Sequence, residues 1–65
     1  MEKSFKLIRR SAVNSILLDN IKVGDFISDE FGKSGKVANI EKIDIKKQSH
    51  YYFYLHKSET ILFIV

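Results

Sequence analysis

The chain contains no cysteine, no proline and no tryptophan, and only three glycines among its 65 residues. Without cysteine it has neither a disulfide framework nor a zinc knuckle, the usual staples of very small domains, and must fold on apolar packing. That absence also fits a reducing cytoplasm. No Pro/Ser linker, internal repeat or low-complexity block marks a boundary, so residues 1–65 are expected to form one domain. Long apolar runs are missing as well. The longest is ILFIV, residues 61–65, whereas a membrane helix needs about 20 apolar residues and a signal-peptide core about 7 to 15. The polar opening MEKSFKLIRR is no signal segment, and the expectation is a cytoplasmic protein without a membrane partner. A chain this short buries only about 60% of its unfolded surface, which leaves little room for an enclosed active site.

What the sequence does contain is charge and β-forming residues. Eleven basic against eight acidic side chains give a net charge of +3, which permits an acidic partner without requiring one. Ile and Lys each occur nine times and Arg twice, a bias in keeping with an AT-rich genome such as that of a phage or mobile element. The second half of the chain is rich in β-branched and aromatic residues, which suit pleated surfaces.

Along the chain, residues 4–10 read as a strand with Phe5 and Leu7 on one side, although Phe5, Ile8, Ala12 and Ile16 also fall at helical spacing. SAVNSILL, residues 11–18, reads as a short helical turn with Ser11 as N-cap. Gly24, Gly32 and Gly35 mark turns, and Asp29-Glu30 reads as a solvated loop tip. Between residues 36 and 47 the apolar positions 37, 40, 43 and 45 neither alternate cleanly nor form a helical stripe. A curved strand with one bulge explains the phase drift, and an amphipathic helix is the competing reading. Residues 50–56 and 60–65 read as strands joined by the turn Lys57-Ser58-Glu59. Ile61, Phe63 and Val65 share one face of the last strand, with Leu62 and Ile64 on the other. Both faces being apolar, that strand is expected to be central or covered.

VGDFISDEFGKSGKVANI, residues 23–40, resembles the KOW motif and the wider set of small five-stranded barrels of the Src-homology kind. The resemblance rests on Val23-Gly24-Asp25-Phe26-Ile27, a Gly-Lys pair, then Gly35-Lys36-Val37 with Ile40 following. The stretch between Gly-Asp and the last glycine is shorter than in that family and carries Asp29 and Glu30 in place of basic residues. The same Gly-Asp turn resembles that of self-splicing Hint domains, whose nucleophilic cysteine this chain lacks. The barrel resemblance implies a mainly β fold, a small five-stranded antiparallel barrel with one short helical turn near residues 11–18. It also implies binding by loops and an outer aromatic face.

QSHYYFYLHK, residues 48–57, bears on that face. Strand residues alternate sides, so Tyr51, Phe53 and Leu55 are expected in the core and His50, Tyr52, Tyr54 and His56 outside. The outer rings suit stacking on unpaired bases, with lysines holding the phosphates. The plainer alternative is that they cover a thin barrel or pair across strands, and Tyr is also common at protein contacts. The basic groups are Lys6 with Arg9 and Arg10, Lys33 with Lys36, and Lys46 with Lys47. Two of them converging on the tyrosine side would make an electrostatic funnel.

Catalysis is not expected. Ser49-His50 and His56-Ser58 lack a converging carboxylate, and Gly32, Lys33, Gly35 and Lys36 lack the spacing of a phosphate-binding P-loop. His50 and His56 would lie about 20 Å apart along a strand, too far to share a metal, so no metal or cofactor is expected. The expectation is a non-catalytic module binding RNA, single-stranded DNA or a nucleoprotein machine such as a ribosome or transcription complex. Its candidate contacts are Arg9, Arg10, Lys33, Lys36, Lys46, Lys47, His50, Tyr52, Tyr54 and His56. The alternative is a small interaction or inhibitor module, phage or mobile-element encoded, acting on a host protein. In that reading the apolar C-terminal strand offers an edge for a partner strand or a homodimer.

Overall fold

The computed structural model describes residues 5–65, which form β1 (Phe5–Ile8), α1 (Ser15–Asp19), β2 (Phe26–Asp29), β3 (Ser34–Ile45), β4 (Gln48–Leu55) and β5 (Thr60–Ile64). The strands make one sheet in the order β1-β2-β3-β4-β5. The fold is therefore mainly β with one short helix, as the sequence implies. Residue 4, the expected first residue of β1, lies outside the described residues.

Two parts of the barrel expectation are corrected. First, β1 pairs with β2 in parallel, Phe5 opposite Phe26 and Ile8 opposite Asp29, so the sheet is mixed. The chain between them, residues 9–25, passes through α1 and so returns in its original direction, as parallel neighbours require. Second, the sheet is open: β1 and β5 are its two edges. Edge position also rules out the central place that was one of the two expected for β5, and its outer face is half-buried at Leu62 and exposed at Ile64.

The peptide groups of β5 show how the open seam is managed. Ser49 and Val65 exchange backbone hydrogen bonds of 2.8 and 3.0 Å, and Leu55 N–H donates to the Glu59 carbonyl at 2.7 Å. By alternation, residues 59, 61, 63 and 65 face β4, and the peptide groups of Thr60, Leu62 and Ile64 point to the free edge. Arg10 Nη2 donates to the Leu62 carbonyl at 3.0 Å, and Lys33 Nζ to the Thr60 carbonyl at 3.2 Å. Cationic side chains thus bridge the gap that backbone pairing would close in a barrel.

Helix α1 is capped by Asn14 and not by Ser11. Asn14 has extended φ/ψ of −146° and 173°, and its Oδ1 accepts the Leu17 N–H at 2.9 Å. Ser11 sits in a turn closed by Ala12 N–H to the Arg9 carbonyl, upstream of the first helical residue. The helix buries Leu18, and Tyr51 Oη donates to Asp19 Oδ1 at 2.8 Å, tying its end to the sheet.

Gly24 and Gly32 occupy turns at φ of +100° and +85°. Gly35 does not make a turn: it lies inside β3, where an added Cβ would meet Leu55 Cβ and Cδ1 at 3.3 Å. Its role is close approach. The curved-strand reading of residues 36–47 is borne out, since the β3–β4 register shifts between Val37 and Asn39. Gly24 N–H donates to the Val37 carbonyl and Val37 N–H to the Asp25 carbonyl, at 2.9 and 2.8 Å, which anchors the bend.

Asp29 is not a solvated tip. It is 3% exposed, its Oδ1 accepts the amides of Phe31 and Lys33 at 3.0 and 2.9 Å, and its Oδ2 lies 3.3 Å from Arg10 Nη1. A carboxylate can be buried here because three donors replace its water. The core is Ile8, Leu18, Ile21, Ile27, Val37, Tyr51, Phe53, Leu55, Ile61 and Phe63. No helix among the described residues is long and apolar enough to cross a membrane.

Candidate functional site

The parity of β4 falls as the alternation requires: Tyr51, Phe53 and Leu55 are buried, His50, Tyr52 and Tyr54 are half-buried on the opposite face, and His56 is exposed. Directly opposed residues share a face, so the register lays out the outer surface in rows. His50 stands between Ile43 and Ile64, Tyr52 between Glu41 and Leu62, and Tyr54 between Asn39 and Thr60. Beyond the bulge, His56 N–H donates to the Lys36 carbonyl at 3.0 Å, and Lys36 is opposite Phe26. The face therefore grades from apolar at Ile43 and Ile64 to cationic at Lys36.

The Tyr52 and Tyr54 rings are 6.3 Å apart between centroids and within 12° of parallel. Spacing of two residues on a strand produces this arrangement. Tyr54 Oη donates to Glu41 Oε1 at 2.7 Å, and that bond holds the phenol above its usual pKa. Tyr54 is thus locked, with one edge of its ring committed to an acid. His50 Nε2 is 3.5 Å from Gln48 Oε1.

At the cationic end lies an open cleft of about 460 Å³ lined by Phe26, Ser34, Gly35, Lys36, His56 and Lys57. Among the described residues its lining holds two lysines and an imidazole and no carboxylate. Lys57 and Ser58 turn the chain from β4 to β5 with φ of +75° and +67°, a left-handed conformation that asparagine and glycine usually take in such hairpins. Lys46 is also left-handed, at φ +55°, in the turn at the other end of β4.

The predicted cations divide by role. Lys36 lines the cleft. Lys46 and Lys47 sit in the β3–β4 turn, at the opposite end of β4 from His56. Arg9 is exposed beyond β1. Lys33 spends its ammonium on the Thr60 carbonyl. Arg10 is the most committed: it pairs with Asp29 at 3.3 Å and Glu30 at 3.1 Å, bonds the Leu62 carbonyl, and places its guanidinium carbon 4.7 Å from the Phe63 ring centroid. Its charge is engaged in the seam. The same two bonds bear on the C-terminal edge, because a strand adding to β5 must displace Arg10 from Leu62 and Lys33 from Thr60. Only Ile64 presents an edge carbonyl without such a bond among the described residues.

Phe26, Ser34, Gly35 and Lys57 complete the cleft; of these the sequence pointed only to Lys57, which with Lys46 and Lys47 flanks the aromatic strand. Lys57 had a signal, a long cationic side chain in a turn position that favours asparagine or glycine. Phe26 and Ser34 had none, since only the register of β2 against β3 brings them beside His56. Among the described residues no three His, Asp or Glu side chains gather as a metal site. Comparison with protein-family models, with curated proteins and with solved structures returned no match.

Proposed function

We propose that this chain is a non-catalytic binding module that takes a single-stranded RNA or DNA segment along the outer face of β3, β4 and β5. The observation that carries the reading is the parallel Tyr52–Tyr54 pair on a face that ends in a cleft bearing Lys36 and Lys57 and, among the described residues, no carboxylate. Base planes stack on the phenol rings, and the two ammoniums receive phosphate. Such platforms contribute about 1–3 kcal/mol per stacked base on truncation, so Tyr52→Ala should weaken binding by roughly 5- to 150-fold. With two phosphate contacts to a single strand, the log–log salt slope is about −1.4, or roughly a sevenfold loss of affinity from 50 to 200 mM salt. Fluorescence anisotropy with labelled oligonucleotides measures both. Absence of binding at low salt removes the proposal.

One observation favours a second reading, a protein-interaction or inhibitor module encoded by a phage or mobile element. The far end of the same face exposes Ile43 and Ile64, at 38% and 48%, beside Leu62, and the acid Glu41 stands in the adjoining tyrosine rows. Apolar contact surrounded by Tyr and His suits a protein partner such as a ribosomal or transcription component. Pull-down before and after nuclease separates the two: partners that survive nuclease and are lost in Ile64→Asp support protein contact.

A further inference from the structure

The cleft at Lys36 and Lys57 has more charge than an internal phosphodiester needs. Neither ammonium makes a hydrogen bond or ion pair with the described residues, His56 adds a third nitrogen-bearing side chain, and no carboxylate among the described residues lines the cavity. A phosphodiester carries one negative charge, whereas a terminal phosphomonoester carries about −1.5 to −2 at neutral pH and three acceptor oxygens. Two uncompensated cations in one cleft match the monoester. Backbone conformation gives an independent sign. Lys57 holds φ of +75° next to Ser58 at +67°, where residues with a Cβ are disfavoured, and Lys57 lines the cleft.

Resting on the single-strand reading above, we infer that the cleft formed by Lys36, His56 and Lys57 receives the terminal phosphate of the bound strand, making the module an end-recognising one. The tyrosine pair then holds the first unpaired bases, and Ser34 supplies a hydroxyl at the cleft wall. A cavity of about 460 Å³ accommodates a phosphate with its sugar, within the usual range for small-ligand sites.

The test compares a short oligothymidylate carrying a 5′-phosphate, a 3′-phosphate or hydroxyls at both ends, by anisotropy on the full chain. Adenosine monophosphate and inorganic phosphate are titrated in parallel against a ¹H–¹⁵N spectrum. One phosphorylated end should bind at least tenfold tighter than the hydroxyl form, and the gap should close in the Lys36→Gln/Lys57→Gln double variant. Lys57→Gly, which relieves the backbone while deleting the ammonium, should narrow the gap in a protein that is folded by its spectrum. Equal affinity for all three ends overturns the end-recognition inference and leaves strand binding standing. Shifts at residues 34–36 and 56–57 with adenosine monophosphate but no oligonucleotide binding uphold the phosphate cleft and remove the strand reading. No response to any of these probes removes both.

Discussion

Asp25 holds a turn together with one oxygen. Its Oδ2 accepts the Lys22 amide at 3.0 Å and the Lys6 ammonium at 3.3 Å, and the amide first, with Lys6 in support, holds its carboxyl below the usual carboxylate range. A carboxyl depressed on folding contributes stability that is present above its unfolded pKa and is lost as pH falls through the folded one. The wild type should therefore lose stability below about pH 4, and Asp25→Asn should flatten that acid limb in urea unfolding. Lys57 presents the opposite case, a residue that works against its backbone. Replacing it with glycine should raise stability by about 0.5–1 kcal/mol, read as a rise of several degrees in the thermal midpoint. An unchanged or lower midpoint would mean that the +75° conformation carries no strain. At this scale the sequence was readable where a residue has one narrow use, as Gly24 and Gly32 do at positive φ. It was misleading where a partner distant in sequence decides: Asp29 looks like a loop acid, but Arg10 and two amides make it a buried one.

β4 was the most legible element, because alternation is a local property and its two faces differ in polarity. The prediction follows from parity. Phe53 is fully buried and meets Phe63 edge-on, with centroids 6.0 Å apart, whereas neighbouring Tyr52 is half-exposed. Phe53→Ala should cost about 3–5 kcal/mol, comparable to the whole stability of a chain this size, while Tyr52→Ala should cost about 1 kcal/mol or less. Circular dichroism melts of the two variants decide, and similar losses would contradict the assignment of faces. β3 was legible by its irregularity, since one bulge at Val37/Asn39 accounts for the apolar drift. The helix was found, but its cap was misplaced by three residues. Ser11 and Asn14 are both competent caps, and only the turn at residues 9–12 selects between them.

For the whole molecule the decisive feature is the seam. Arg10 reaches from the end of β1 to Asp29, Glu30 and the edge of β5, and covers Phe63 on the way. Arg10→Ala leaves the Asp29 carboxylate with its two amides and no counter-charge, and opens Phe63 to water. The guanidinium is itself partly solvated, so the loss should be about 2 kcal/mol in urea unfolding. Arg10→Lys should recover less than half, because a single ammonium lacks the fork that reaches two carboxylates and a carbonyl together. Full recovery would mean that charge alone holds the seam. By itself the sequence determined the β character of the chain, the strands at residues 50–56 and 60–65 and the inward and outward faces of β4, while for residues 36–47 it offered a bulged strand with a helix as competitor. Each of these depends on steric and polarity patterns within a few neighbouring residues. Only the tertiary structure decided that β1 runs parallel to β2, that the sheet stays open with arginine and lysine across its gap, and that Phe26, Lys36 and His56 share a cleft. Those facts depend on which distant segments meet, and the free energy of such meetings is not written in local periodicity.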